Sequence, residues 1–300
     1  MFEQLRQRWS SDNRQPRNQP LEIASLTPPD VSRLSLSWDS HFNAATLRQH
    51  VSAFPGISFY TKDQNEFVIG DWWRRRDDIG HILETHARHY RPELVARLVQ
   101  QFEELNCGAV VVSTDEQNDR TGFYTQQGFE EIERIIYYEK QDMRTDFTYQ
   151  GESLNMVQFT PALMPDLLEV DHASFPWLWW NSQSEFEYYV SQPEVTLYLA
   201  YTRSLRRPVG YFGFTLFERW SHLDRLAVVS DLQSRGAGAY QLAYAFDLMR
   251  KRGARRCTLS TQGNNFRSQR LYEGFGFRRV RSLEYSIAGK WLKPRQQLGK

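Results

Sequence analysis

The sequence predicts an α/β protein of the α+β type: a mixed, mostly antiparallel sheet flanked by helices, built twice in tandem. Three observations carry this. The second half reads helix, helix, three strands, helix, strand, helix, strand, an order that gives a mixed sheet with helices on both sides. The segment LAVVSDLQSRGAGA, residues 226–239, passes from an apolar strand through a glycine-rich bend into a helix. The chain also repeats itself: Phe123-Tyr-Thr-Gln-Gln-Gly-Phe129 resembles Leu271-Tyr-Glu-Gly-Phe-Gly-Phe277 at an offset of about 148. Near that offset the helix-like 93–105 falls on 240–252, and the strand-like 108–114 falls on 255–261. Helix, strand and second helix end in one register argue for two copies of one fold.

Element by element, Pro161–His172 and Ser184–Ser191 have helical spacing, each opened by a cap or a proline. Val195–Tyr201 is a strand, Arg203–Pro208 a turn, and Val209–Phe217 its hairpin partner. His222–Val229 is a third strand. Ala239–Arg252 is an amphipathic helix stopped by Gly253. Arg256–Thr261 reads as a strand, Phe266–Glu273 as a short helix and Arg278–Ser286 as a final strand. The first half is looser. Ser58–Thr61 and Glu66–Asp71 suggest a hairpin with Trp72 and Trp73 after it, and Asp78–Leu83 the strand before the long helix.

Three hundred residues suit two ordinary domains, and 40% hydrophobic residues with nine tryptophans are ample for their cores. Residues 1–20, with four arginines against two acids, are expected to be a flexible arm. A first domain is expected over 21–145 and a second over 154–292, the boundary falling in the polar stretch Gln141–Ser153. A net charge of +1 gives no electrostatic case for nucleic acid. No apolar run approaches the ~18 residues of a membrane span. Cys107 and Cys257 do not make a disulfide framework and read as buried thiols. The setting expected is soluble, reducing and cytoplasmic, and the protein a monomer with a pseudo-dimeric pair of domains.

The bend at 233–238 aims several backbone N–H groups at one point, where the helix dipole adds roughly half a positive charge. That is a cradle for a pyrophosphate. With Leu226-Ala227-Val228 before it, Gln233-Ser234-Arg235-Gly236-Ala237-Gly238 resembles the cofactor loop of the GCN5-related N-acetyltransferase (GNAT) superfamily. The second signature of that family, Asn-x-x-Ala-x-x-Leu-Tyr-x-x-x-Gly-Phe, is met by Asn265 through Phe277, with Ser268 in place of alanine. The resemblance covers about 154–292. It implies a tandem-GNAT protein whose first half is a degenerate copy, because the offset sets Arg88-His89-Tyr90 opposite Gly236-Ala237-Gly238.

What the resemblance implies is acetyl transfer from acetyl-CoA to a primary amine of a small molecule or peptide, by direct transfer in a ternary complex. Leu226, Ala227, Val228, Gln233–Gly238 and Ala239 would hold the cofactor, with Val228 N–H the candidate donor to the thioester oxygen. Asn265 and Ser268 would lie toward its sulfur end. Tyr272 is the candidate general acid, or else a core tyrosine beside Phe275 and Phe277. Asp224 is the candidate base, or else a solvated strand residue or a partner for Arg225. His222, two residues earlier on the same face, is a second candidate and Glu218 a weaker third. Trp177, Trp179 and Trp180 would form an aromatic wall for the acceptor, or else plug the interface between the halves. The different-class alternative is a non-catalytic acyl-CoA-binding or protein-interaction module.

Other motifs fail on the residues. A P-loop needs Gly-Lys-Ser/Thr, but Ala239-Tyr240 follows Gly238. A dinucleotide fingerprint needs a third glycine where Gln241 stands. The seven histidines are scattered, so no metal site is expected. The run Trp73-Arg74-Arg75-Arg76 is short, abuts Asp77-Asp78, and reads as a solvated face.

Overall fold

A computed structural model describes residues 22–62, 65–89, 91–114, 122–143, 154–202 and 207–294. The expected arm at 1–20, most of the expected boundary stretch, Tyr90 and most of the 203–208 turn lie outside the described residues. Thirteen strands form one sheet. They are β1 (Ile23–Ser25), β2 (Ser58–Thr61), β3 (Phe67–Trp72), β4 (Ile79–His86), β5 (Ala109–Thr114), β6 (Glu130–Lys140), β7 (Leu154–Gln158), β8 (Val195–Thr202), β9 (Pro208–Phe217), β10 (Trp220–Val228), β11 (Arg256–Gln262), β12 (Arg278–Arg279) and β13 (Tyr285–Trp291). The α-helices are α1 (Ala44–Ala53), α2 (Arg91–Glu104), α3 (Phe123–Gln126), α4 (Met164–Ser174), α5 (Gln183–Ser191), α6 (Ala237–Lys251) and α7 (Phe266–Gly274).

Across the sheet the order is β1-β2-β3-β4-β5-β13-β6-β11-β10-β9-β8-β7, with β12 also on β6. Among the described residues only β4–β5 and β10–β11 are parallel pairs. Counted inward from its two edges, this order is one six-strand arrangement met twice, with a pseudo-twofold between β13 and β6. Strand β13 pairs with β5, Ser286 opposite Thr114, and β6 pairs with β11, Ile136 opposite Thr261. Each half therefore lends its closing strand to the other.

The long helices form for ordinary reasons. Helix α6 buries Leu242, Ala245, Phe246 and Met249 at helical spacing against Leu223, Cys257 and Leu259 of the sheet. Leu242, Phe246 and Met249 each contribute about 1.5–3 kcal/mol by leaving water. Helix α4 buries Leu167 and Val170 against the other face, with Leu199 and Tyr211. Helix α2 plays the part of α6 in the first half, packing Leu94, Leu98 and Phe102 on Val68, Ile82 and Val110.

Four elements escaped the sequence reading: β1, α1, β6 and β7. The final strand is also corrected. Instead of running through 278–286, the chain pairs briefly at Arg278–Arg279, makes a 3-10 turn at Arg281–Leu283, and forms its long strand at Tyr285–Trp291. The turn steps the chain across so that β13 fits between β5 and β6. Both cysteines are buried free thiols. Burial pushes Cys107 up to about 11 and Cys257 up to about 12. No helix among the described residues is long and apolar enough to cross a membrane.

Candidate active site

Strands β10 and β11 pair in parallel from Trp220–Arg256 to Leu223–Leu259 and then part. Beyond that point β10 stays with β9 and β11 stays with β6. Val229 N–H bonds back to Val209 on the β9 side at 3.0 Å. Strand alternation therefore turns the backbone groups of Leu226 and Val228 toward the open gap. The Val228 carbonyl already accepts from Gln233 Nε2 at 2.8 Å, which pins the loop to the strand.

Two cavities open on this gap. The first, about 460 Å³, is lined by Leu226, Ala227, Val228, Gln233, Ser234, Gly236, Gly238, Ala239, Asn265 and Ser268, with Glu133, Phe175, Gln262 and Arg267. Gly236 stands at the N-cap of α6 with φ 86°, and Ser234 also has positive φ, 63°. Two left-handed residues in one short loop produce the sharp bend; glycine accepts that conformation freely. No side chain among the described residues caps α6, and its first-turn residues Gly238 and Ala239 line the cavity. Two cofactor candidates are not walls of this cavity. Arg235 is exposed, and the Ala237 methyl is packed in the core with Leu167 and Tyr211.

The second cavity, about 360 Å³, shares Phe175, Leu226, Gln262, Asn265 and Ser268 with the first. Asp224, His222 and Tyr272 line it. A β-bulge decides how. Leu223 pairs with Phe214 and Arg225 with Gly213, leaving Asp224 without a partner residue. The extra residue turns Asp224 and Arg225 toward the same side of the sheet. Asp224 Oδ2 accepts from Tyr189 Oη at 2.6 Å and Thr215 Oγ1 at 2.8 Å, so both donors sit on one oxygen. Tyr189 reaches it because position 213 is glycine: a Cβ there would lie 2.6 Å from the Tyr189 hydroxyl. Burial raises the Asp224 carboxyl to about 6 despite those two bonds. Arg225 is held instead by Asp171, the Tyr211 hydroxyl at 2.9 Å and the Trp179 carbonyl at 2.9 Å. Asp224 is thus neither solvated nor the partner of Arg225.

His222 faces the same cavity, with Nδ1 2.8 Å from Thr258 Oγ1, and burial lowers it to about 4. Tyr272 is 5% exposed, packed edge-on to Phe277. Burial pushes its phenol well above the ordinary value, partly offset by a hydrogen bond with Ser268. Asn265 caps α7 by accepting from Ser268 N–H at 3.2 Å, which fixes both residues where the cavities meet. Glu218 is in the exposed β9–β10 turn, away from both cavities.

The tryptophans separate. Trp179 lines the second cavity and is 8% exposed. Trp177 and Trp180 do not; they stand at the joint between the halves. Trp177 Nε1 donates to Asp78 at 3.1 Å, and Arg76 donates to the Trp177 carbonyl and stacks over its ring. Trp180 stacks on His172 at 4.8 Å. The arginine run is likewise not a solvated face. Arg74 donates to Asn181 Oδ1 at 2.6 Å and lies over Trp179, and Arg75 stacks on Tyr188. The first half contributes Arg74, Ile135 and Glu133 to the cavities. Sequence reasoning missed them because only the tertiary fold brings them here.

The repeat lacks the matching loop. Eight residues, 229–236, separate β10 from α6, but at most four separate β4 from α2. Glu66 takes the backbone N–H of His89 at 2.9 Å, so the first half supplies its own anion at that point.

Residues 158–277 match the Acetyltransferase (GNAT) family. The C-terminal half belongs to the GNAT superfamily. A GCN5-related N-acetyltransferase from Sphaerobacter thermophilus aligns with a TM-score of 0.58 over 91% of this chain and 96% of its own, at 15% identity. A GCN5-related N-acetyltransferase from Kribbella flavida gives 0.61 over 91% and 71%, at 14% identity. A tandem GNAT protein from the clavulanic acid biosynthesis pathway gives 0.56 over 92% and 99%, at 10% identity. At these identities the likeness establishes fold: two GNAT folds in tandem. A comparison with curated proteins finds no match.

Proposed function

We propose that this tandem GNAT protein is an acetyl-CoA-dependent N-acetyltransferase that delivers an acetyl group directly to a primary amine while both are bound. The observation that carries this is the meeting of two cavities at the parting of β10 and β11, one beside a glycine bend, the other holding Asp224 and Tyr272. The residues fit an acyl-CoA: an uncapped helix N-terminus for pyrophosphate, and an unpaired strand edge for an amide-bearing arm. When bound, that cofactor supplies an acyl thioester with a thiol as leaving group.

The chain's own residues divide the remaining work. Gly236, Gly238 and Ala239 hold phosphate; Leu226 and Val228 pair with the arm. Asp224, with a carboxyl near 6, is ionised at neutral pH and basic enough to take a proton from the acceptor ammonium. Its Oδ1, which neither Tyr189 nor Thr215 uses, is the atom for that proton. His222, near 4, is too weak a base to compete. Tyr272 stays protonated throughout the working range and holds the proton a leaving thiolate needs. Trp179 and Phe175 wall the acceptor side.

The test is free-thiol release from acetyl-CoA across a panel of amines, alongside calorimetry of acetyl-CoA binding. Amine-dependent release is the expected result. Binding without release on every amine would instead make the protein a non-catalytic acyl-CoA-binding module.

A further inference from the structure

The acceptor cavity holds three charged side chains from the second half, Glu185, Asp224 and Arg225, and one from the first, Arg74. Two groups of them are already balanced. Arg225 is paired with Asp171, and Glu185 lies 3.5 Å from Arg75, with the Arg74 charge also acting on it from farther off. That leaves Arg74 and Asp224, neither of which has an ion-pair partner among the described residues. Arg74 is held in place by Asn181 and by the face of Trp179, 4.9 Å from its guanidinium carbon. Its buried Nε has no hydrogen-bond acceptor among the described residues. The backbone that presents it is strained: Arg74 and Arg75 both have positive φ, 55° and 50°. Consecutive left-handed non-glycine residues persist only where the surroundings enforce them, and they concentrate at ligand sites.

A cation and a carboxylate base that each lack a contact ion pair among the described residues, in one 360 Å³ cavity, are complementary to a molecule carrying both charges. We propose that the acceptor is a small amino acid-like molecule, an amine that also bears a carboxylate, with Arg74 of the degenerate half binding the carboxylate while the amine lies at Asp224. Guanidinium suits this task because its planar fork matches a carboxylate. This rests on the acyl-transfer reading for the place of the amine. It gives the first half a role in choosing the acceptor.

The experiment compares the twenty common amino acids with their α-carboxamides, by thiol release from acetyl-CoA and by calorimetry on the protein loaded with coenzyme A. The expected result is a KM and a Kd at least tenfold lower for the preferred acid than for its amide. In Arg74→Gln that ratio collapses toward one through a rise in the acid's KM, with acetyl-CoA affinity kept; Arg74→Lys, which retains the charge, keeps part of the preference. Amides or plain alkylamines accepted as well as acids, or an acid preference untouched by Arg74→Gln, would overturn the proposal while leaving acyl transfer standing. Acids bound in preference to amides without any thiol release would support the charge assignment and sink the acyl-transfer reading instead. No binding and no turnover of any acid would overturn it outright.

Discussion

Replacing Asp224 by asparagine should make the protein more stable and nearly inactive, and the gain in stability should depend on pH in a defined way. The carboxyl ordinarily titrates near 3.8 and is raised by burial to about 6. Between those values the unfolded chain has lost the proton that the folded chain keeps, so wild-type stability falls as pH rises through this window and is level above it. A rise of about two pK units corresponds to about 3 kcal/mol. Asparagine carries no charge to desolvate and escapes this cost. Urea unfolding of both proteins at several pH values should give stabilities that agree near pH 3.5 and diverge to about 3 kcal/mol by pH 7. Wild-type kcat/KM should rise with an apparent pKa near 6, and the variant should lose that limb along with most of its turnover. A stability difference that stays flat with pH, or a wild-type profile with no limb between 5 and 7, would refute the reasoning.

Tyr272→Phe should lower kcat on the order of 10²-fold with acetyl-CoA affinity kept, since general-acid catalysis is worth that much or more; equal turnover would return Tyr272 to a packing role. Gly236→Arg must hold a side chain at φ 86° at a cost of about 1–2 kcal/mol, and it crowds the bend. Calorimetry should show at least a tenfold loss of acetyl-CoA affinity, against one molecule bound per wild-type chain; two would mean that the first half also binds. Trp177→Ala should cost about 2 kcal/mol, half the usual core value because the ring is half-buried at the joint, and leave the acceptor KM in place. A raised acceptor KM with unchanged stability would put Trp177 back in the acceptor wall.

The elements legible in the sequence are those whose signals are local. Helix α6 shows its apolar stripe and its glycine bend, and β8 to β11 show their alternation. Strand β6 was missed because its run EEIERIIYYEK is buried only in its second half, where β11 covers it, and that neighbour is more than a hundred residues away. In the site, Leu226 to Gly238 and Asn265 to Tyr272 were readable because backbone conformation and a helix cap impose residue types at fixed spacing. Asp224 was found, but its environment was not: a bulge is one unpaired residue and leaves no mark in the alternation of WSHLDRLAV. Arg74 was invisible for a different reason. A left-handed turn at two arginines contradicts local preference, and only the completed joint between the halves enforces it.

The crossing of closing strands has a consequence for how the chain reaches its native state. Synthesis ordinarily lets an N-terminal unit fold while the remainder is still being made. Here the sheet edge at β5 has no neighbour until residues 285–291 leave the ribosome. Before that, β5 offers unpaired backbone to any extended segment nearby, β6 included, and wrong pairing there is a hazard. The first unit therefore completes its sheet only when β13 is available, and a nonsense mutation close to position 285 should damage the part of the protein made first.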